Sequence, residues 1–127
     1  MKPKNEDRSG KSSNDPLRDK SFALAIRIVR LCRILSEEKK EYTISKQLLR
    51  SGTNPGAMVR EAANAESGLD FINKLSVAQK ETGETQYLLE LLQATDYLTE
   101  KEFQSIFADT EEIMKLSVVP SLPKRKI

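Results

Sequence analysis

Apolar positions recur at spacings of three and four along four stretches of this chain, and short polar segments separate them, so the pattern predicts four amphipathic helices. The first covers about 20–39, "KSFALAIRIVRLCRILSEEK", with Phe22, Ala25, Ile26, Val29, Cys32 and Leu35 on one side. Ile28, Leu31 and Ile34 widen that stripe, which predicts burial on more than one side. The second runs over 43–63, opened by Thr43, with Ile44, Leu48, Gly52, Pro55 or Gly56, Val59 and Ala63 on one face. The third spans about 68–94, with Leu69, Ile72, Leu75, Ala78, Thr82, Leu88 or Leu89, and Leu92 inward. Gly83 inside it costs about 1 kcal/mol against alanine, so a local kink or a close neighbour is expected there.

The fourth stretch, about 99–118, opens on Thr99 with Glu102 three residues on, the pattern of a capping box. Phe103, Ile106, Phe107, Ile113 or Met114, and Leu116 or Ser117 supply its inner side, and Pro120 and Pro123 stop it. Long helices joined by short connections place consecutive members side by side and antiparallel. The expected fold is an all-α, up-down-up-down four-helix bundle. Residues 1–18 are polar and too poor in apolar side chains to offset the entropy of ordering, which predicts a disordered arm. Order is expected to begin with a cap at Asp19 to Ser21, giving a bundle over 19–119 and a short basic tail over 120–127.

One segment resists this scheme. "SGTNPG", residues 51–56, holds two glycines and a proline in the middle of the second helix. A phosphate-binding loop needs a Gly-Lys-Ser/Thr ending after a strand, whereas Gly56 is followed by Ala57 and Met58. A loop with Gly52 ending one helix, Asn54 capping the next and Pro55 at its first position is good local chemistry. A loop would reset the helical phase, however, and positions 44, 48, 52, 55/56, 59 and 63 stay on one stripe. The better reading is a single helix kinked at Pro55, whose Gly52 and Gly56 make a flat strip for close packing.

Composition narrows the chemistry. Histidine is absent from the 127 residues, which removes Ser-His and Cys-His nucleophile pairs, imidazole acid–base catalysis and His-containing metal sites. The single cysteine, Cys32, lies on an apolar face and reads as a buried structural thiol, consistent with a reducing cytoplasm. Carboxylate pairs such as Glu81 with Glu84 and Glu111 with Glu112 follow from an acidic helical surface. No cofactor, membrane segment or small-molecule substrate is indicated, and no enzymatic activity is expected.

The net charge of +2 conceals a polarity along the chain. Residues 21–60 carry eight basic groups against three acidic, and residues 61–119 carry four basic against twelve acidic. Arg27, Arg30 and Arg33 form a ridge every three residues. Its plain reading is a solvated face with apolar stems laid along the helix, and its functional reading is contact with an anionic partner. Together with Lys46, Arg50 and Arg60 these cations are expected to divide. Some should meet acids of the third and fourth helices, within or between subunits, and the rest should present a phosphate-binding surface. With three Tyr and four Phe, mostly at expected core positions, any RNA reading would be weak in sequence preference.

The blocks "FALAIRIVRLC", "YTISKQLLRSGTNPGAMVREAANA" and "DFINKLSVAQKETGETQYLLELL" resemble the bacterial four-helix bundle family also called 23S rRNA intervening-sequence proteins. The likeness extends over about 19–118, with "SKQLLRSGTNPGA" and "ETQYLLELL" the most specific parts. Leu88 stands where such proteins often carry Trp, and Gly83 replaces a larger residue. The resemblance implies a homo-oligomer, typically a ring of five bundles, without established enzymatic activity. It also implies a likeness in fold to the accessory protein of diversity-generating retroelements, which works with a reverse transcriptase and nucleic acid. RNA or a nucleoprotein enzyme is the partner this suggests. The other reading is a protein-interaction module whose basic ridge docks on acidic helices of a neighbouring subunit.

Overall fold

A computed structural model describes residues 14–119, which form four helices and, among the described residues, no strand. We label them α1 (Pro16–Glu37), α2 (Thr43–Ala63), α3 (Gly68–Ala94) and α4 (Glu100–Leu116). The backbone of each helix lies beside those of its two cyclic neighbours, α1 beside α2 and α4, α3 beside α2 and α4, and the side chains of all four meet in the core between them. The fold is an all-α four-helix bundle. The expected arm lies mostly outside the described residues, as does the basic tail from Pro120 onward.

Local chemistry sets the helix ends. α1 begins earlier than the expected cap at Asp19 to Ser21, because Asp15 accepts from the Arg18 N–H at 3.0 Å and Pro16 occupies the first turn. Proline fits there because its fixed φ is helical and its missing donor would have had no partner. Residues 16–18 therefore belong to the bundle and not to the arm, and Leu17 packs against the core. At the start of α2 Thr43 is not the cap. The Glu41 carboxylate does that work, accepting from Ile44 N at 3.0 Å and Ser45 N at 2.7 Å. Ser67 caps α3 through Asp70 N at 3.0 Å. The α4 capping box forms as expected: Thr99 Oγ1 accepts from Glu102 N at 3.1 Å, and Glu102 Oε1 from Thr99 N at 2.8 Å.

α2 runs unbroken from Thr43 to Ala63 with Pro55 buried inside it, so "SGTNPG" is helix and neither loop nor phosphate turn. Gly52 and Gly56 face α1. A Cβ on Gly52 would meet the Ile28 side chain at 2.7–2.9 Å, and one on Gly56 would stand 3.4 Å from the Ser21 carbonyl oxygen. Small residues let these two helices approach this closely. Beside them Ser51 is fully buried and accepts from Thr85 Oγ1 of α3 at 3.0 Å. Gly83 is different: a Cβ there would meet nothing within 4 Å, so no close neighbour explains it.

The core face of α1 differs from the expected stripe. Leu24, Ile28, Cys32 and Leu35 are buried, and they pack with Leu48 of α2, Leu88, Leu89 and Leu92 of α3, and Ile106 and Ile113 of α4. Phe22 is 51% exposed, and Ile26 and Val29 are each 37% exposed. Because α1 is apolar on nearly every side, its periodicity fits two stripes. Packing against Gly52 and Gly56 selects the one centred on Ile28. Leu69 and Leu116 are likewise exposed, whereas Ser117 is buried with its hydroxyl donating to the Ile113 carbonyl at 2.7 Å. No buried side-chain nitrogen or oxygen lacks a partner among the described residues.

Candidate functional site

The six cations singled out in the sequence have different fates. Arg27 lies between α1 and α4, where Nη1 donates to Asp109 Oδ2 at 2.7 Å and to the Ser105 carbonyl at 3.2 Å. Its Nη2 donates to Ser105 Oγ at 3.0 Å. Arg50 joins α2 to α3, with Nη1 3.1 Å from Glu81 Oε1 and Nη2 2.8 Å from Glu84 Oε2. The Glu84 bond and the Glu81 charge hold its guanidinium still more firmly protonated than usual. Arg60 stacks its guanidinium 5.1 Å from the centroid of the Phe22 ring.

Arg30, Arg33 and Lys46 remain. All three are exposed, and none forms an ion pair among the described residues. Arg33 and Lys46 border a groove of about 460 Å3 between α1 and α2, together with Tyr42, Leu49 and one acid, Glu37. Arg30 and Arg33 also flank a shallow depression floored by Phe22, Ala25, Ile26 and Val29. The outer side of α1 is thus a continuous strip in which unpaired cations alternate with exposed apolar side chains. Charge counting finds the cations, but the exposed Phe22, Ile26, Val29 and Tyr42 escape it. For Phe22, Ile26 and Val29 the one signal in the sequence is that α1 has more apolar positions than a single buried face can use; Tyr42, just before α2, has none.

The remaining candidates serve packing. Gly52, Pro55 and Gly56 lie along the inner side of α2, two of them against α1. Cys32 donates its thiol to the Ser45 carbonyl at 3.3 Å, and burial pushes that thiol above its ordinary pKa, which keeps it protonated and unreactive. Glu81 and Glu84 are taken up by Arg50. Glu111 and Glu112 line an open groove with Gln86, Ala108, Met114 and Lys115 between α3 and α4. Among the described residues no group of three or more His, Cys, Asp or Glu is placed to hold a metal ion. No helix among them is long and apolar enough to cross a membrane.

Comparison with known proteins matches this architecture. A family model described as 23S rRNA-intervening sequence protein matches residues 16–118. The chain is also similar to a solved structure from Bacteroides thetaiotaomicron, described as a protein of unknown function from the S23 ribosomal protein family. The two are 52% identical, the match covers 80% of this chain and 90% of that one, and the TM-score is 0.79. Among curated proteins there is no match.

Proposed function

The chain belongs to the 23S rRNA-intervening sequence protein family, and from that premise we propose that it is a non-catalytic, self-associating binding protein of the cytoplasm. It contacts the phosphate backbone of RNA, free or carried by a nucleoprotein enzyme such as a reverse transcriptase, through Arg30, Arg33 and Lys46. The observation that carries this reading is the division of the cations: Arg27 and Arg50 neutralise acids of α4 and α3, while these three form no ion pair among the described residues. Tyr42, 60% exposed beside Lys46, adds a stacking surface that suits any base. Recognition of this kind is electrostatic and indifferent to sequence.

The decisive experiment is binding of a single-stranded RNA measured against salt concentration. Three phosphate contacts per subunit predict a log–log slope of about −2 for each engaged subunit. Arg33→Glu with Lys46→Glu should abolish that dependence. Binding that ignores salt, or no binding at low salt, would falsify the RNA reading.

A second reading rests on the apolar half of the same strip. Phe22, Ile26 and Val29 ask for cover, and the acidic groove at Glu111 and Glu112 of another copy complements Arg30 and Arg33 in charge. Head-to-tail contacts of that kind give a ring when the rotation between copies closes, and the family resemblance implies one of five members. In this reading the ridge serves assembly alone, and nucleic acid plays no part.

A further inference from the structure

On the adjoining side of α1, at the seam with α4, lies a groove of about 450 Å3 that shares Arg30 with the outer strip and whose other residues neither reading uses. Its floor is apolar: Leu31 and Ile34 from α1, Ile106 from α4, and Leu98 with Tyr97 from the turn before α4. Ile34 is 41% exposed there, a large apolar side chain left partly open by the described residues. The rim is basic. Arg30, Lys39 and Lys101 stand around the opening, and none of them has a carboxylate within ion-pair distance among the described residues. Arg27 borders it as well but is spent on Asp109. The one acid on the rim, Glu102, is committed to the backbone N–H of Thr99, and that bond, helped by the charge of Lys39, keeps it ionised.

We infer that this α1–α4 groove is a binding site for a small amphipathic anion, an aromatic or acyl body bearing a phosphate, carboxylate or sulfonate. Charge complementarity fixes the sign of the ligand: among the described residues Arg30, Lys39 and Lys101 surround an apolar floor against the single charge of Glu102, and Arg27 is balanced by Asp109, so the opening stays net positive. Size fixes its class. The α1 wall runs from Arg27 to Ile34 and the α4 wall from Lys101 to Ile106, each about 10 Å or less at 1.5 Å per residue. That is too short to seat a multi-turn peptide helix, while the volume lies within the 300–1,000 Å3 range of small-molecule sites. A bare inorganic anion would leave the floor uncovered. A neutral apolar molecule would leave the cations unanswered.

The test is a fluorescence titration of the full chain with 8-anilinonaphthalene-1-sulfonate, an aromatic body carrying one anionic group. Saturable binding is expected, weakened at least tenfold by Lys101→Glu and by Ile34→Glu. Leu69→Glu, at an exposed position in the first turn of α3, should leave it unchanged. Melting curves identify any variant that fails to fold. N-phenyl-1-naphthylamine, the same body without the sulfonate, should bind at least tenfold more weakly. Competition separates the natural sources: displacement by adenosine monophosphate points to a nucleotide, and displacement by decanoate to an acyl anion. An unchanged titration with folded Lys101→Glu would overturn the proposal, as would loss of binding with Leu69→Glu. Equal displacement by inorganic phosphate would overturn it too, because charge alone would then suffice.

Discussion

Gly52 of α2 lies against Ile28 of α1 with no room for even one more carbon, since a Cβ there would come within 2.7 Å of Ile28 Cγ1. Ile28 is β-branched, fully buried and fixed on its far side by the core, so it cannot swing away as the tip of a lysine would. Gly52→Ala is expected to destabilise the bundle by about 1–3 kcal/mol, the usual range for overpacking, and Gly52→Leu by more. Denaturant unfolding of the three proteins checks this. A Gly52→Leu protein as stable as the parent would mean that α1 and α2 separate freely.

Gly83 predicts the opposite sign. It lies inside α3, in the right-handed region, and an added methyl would find open space. Gly83→Ala therefore keeps every contact and reduces the entropy of the unfolded chain, which should raise stability by about 0.5–1 kcal/mol. Two glycines in neighbouring helices thus answer the same substitution oppositely, for reasons visible only in three dimensions.

The same contrast shows what the sequence makes legible. Helix positions are legible because phase persists along each stretch, even through Pro55, and the Thr99–Glu102 box marks the start of α4 unambiguously. The inward face of α1 is not, because Phe22–Ile26–Val29 and Leu24–Ile28–Leu35 both satisfy helical spacing. Which one turns inward depends on Gly52 and Gly56, more than twenty residues away. Among the cations, the sequence supplies the candidates and the need for acids to match them, but Arg27 finds Asp109 only once α1 lies beside α4. The α1–α4 groove has no sequence signature, since its wall residues are ordinary members of two amphipathic helices.

The capping box carries a pH dependence. The Glu102 carboxylate is held below the ordinary range first by the Thr99 backbone N–H. A folded pKa below the unfolded one means that its stabilisation is complete above the ordinary glutamate value of about 4.3. It is then lost as pH falls through the lower folded value. Glu102→Gln should remove this part of the acid sensitivity, seen as a shallower fall in melting temperature below about pH 4.3. Thr99→Ala should lower stability by about 1 kcal/mol at neutral pH.

Arg27 and Arg33 lie six residues apart on α1, on different faces, and should behave differently. A double-mutant cycle on Arg27 and Asp109, a pair 39% and 41% exposed, should give a coupling of about 0.5–1 kcal/mol, screened by salt. Arg33→Ala breaks no ion pair among the described residues and should change stability by less than about 0.5 kcal/mol. A coupling near zero would mean that the α1–α4 seam is held by its apolar contacts alone.

The outer strip of α1 is the surface on which the proposed self-association rests. An apolar helix face has no reason to persist in water unless something covers it, and Phe22, Ile26 and Val29 occupy three successive turns of one side. If another copy provides the cover, Ile26→Glu with Val29→Glu should leave the helical signal intact, because neither side chain belongs to the buried core. The same pair should reduce the mass measured by light scattering to that of one chain. High salt should weaken the native assembly only in part, since Arg30 and Arg33 contribute charge while the apolar residues do not respond to screening. Wild-type protein that stays monomeric at every concentration and salt would exclude self-association. The strip would then have to be covered by a different molecule, with its three cations still selecting for negative charge.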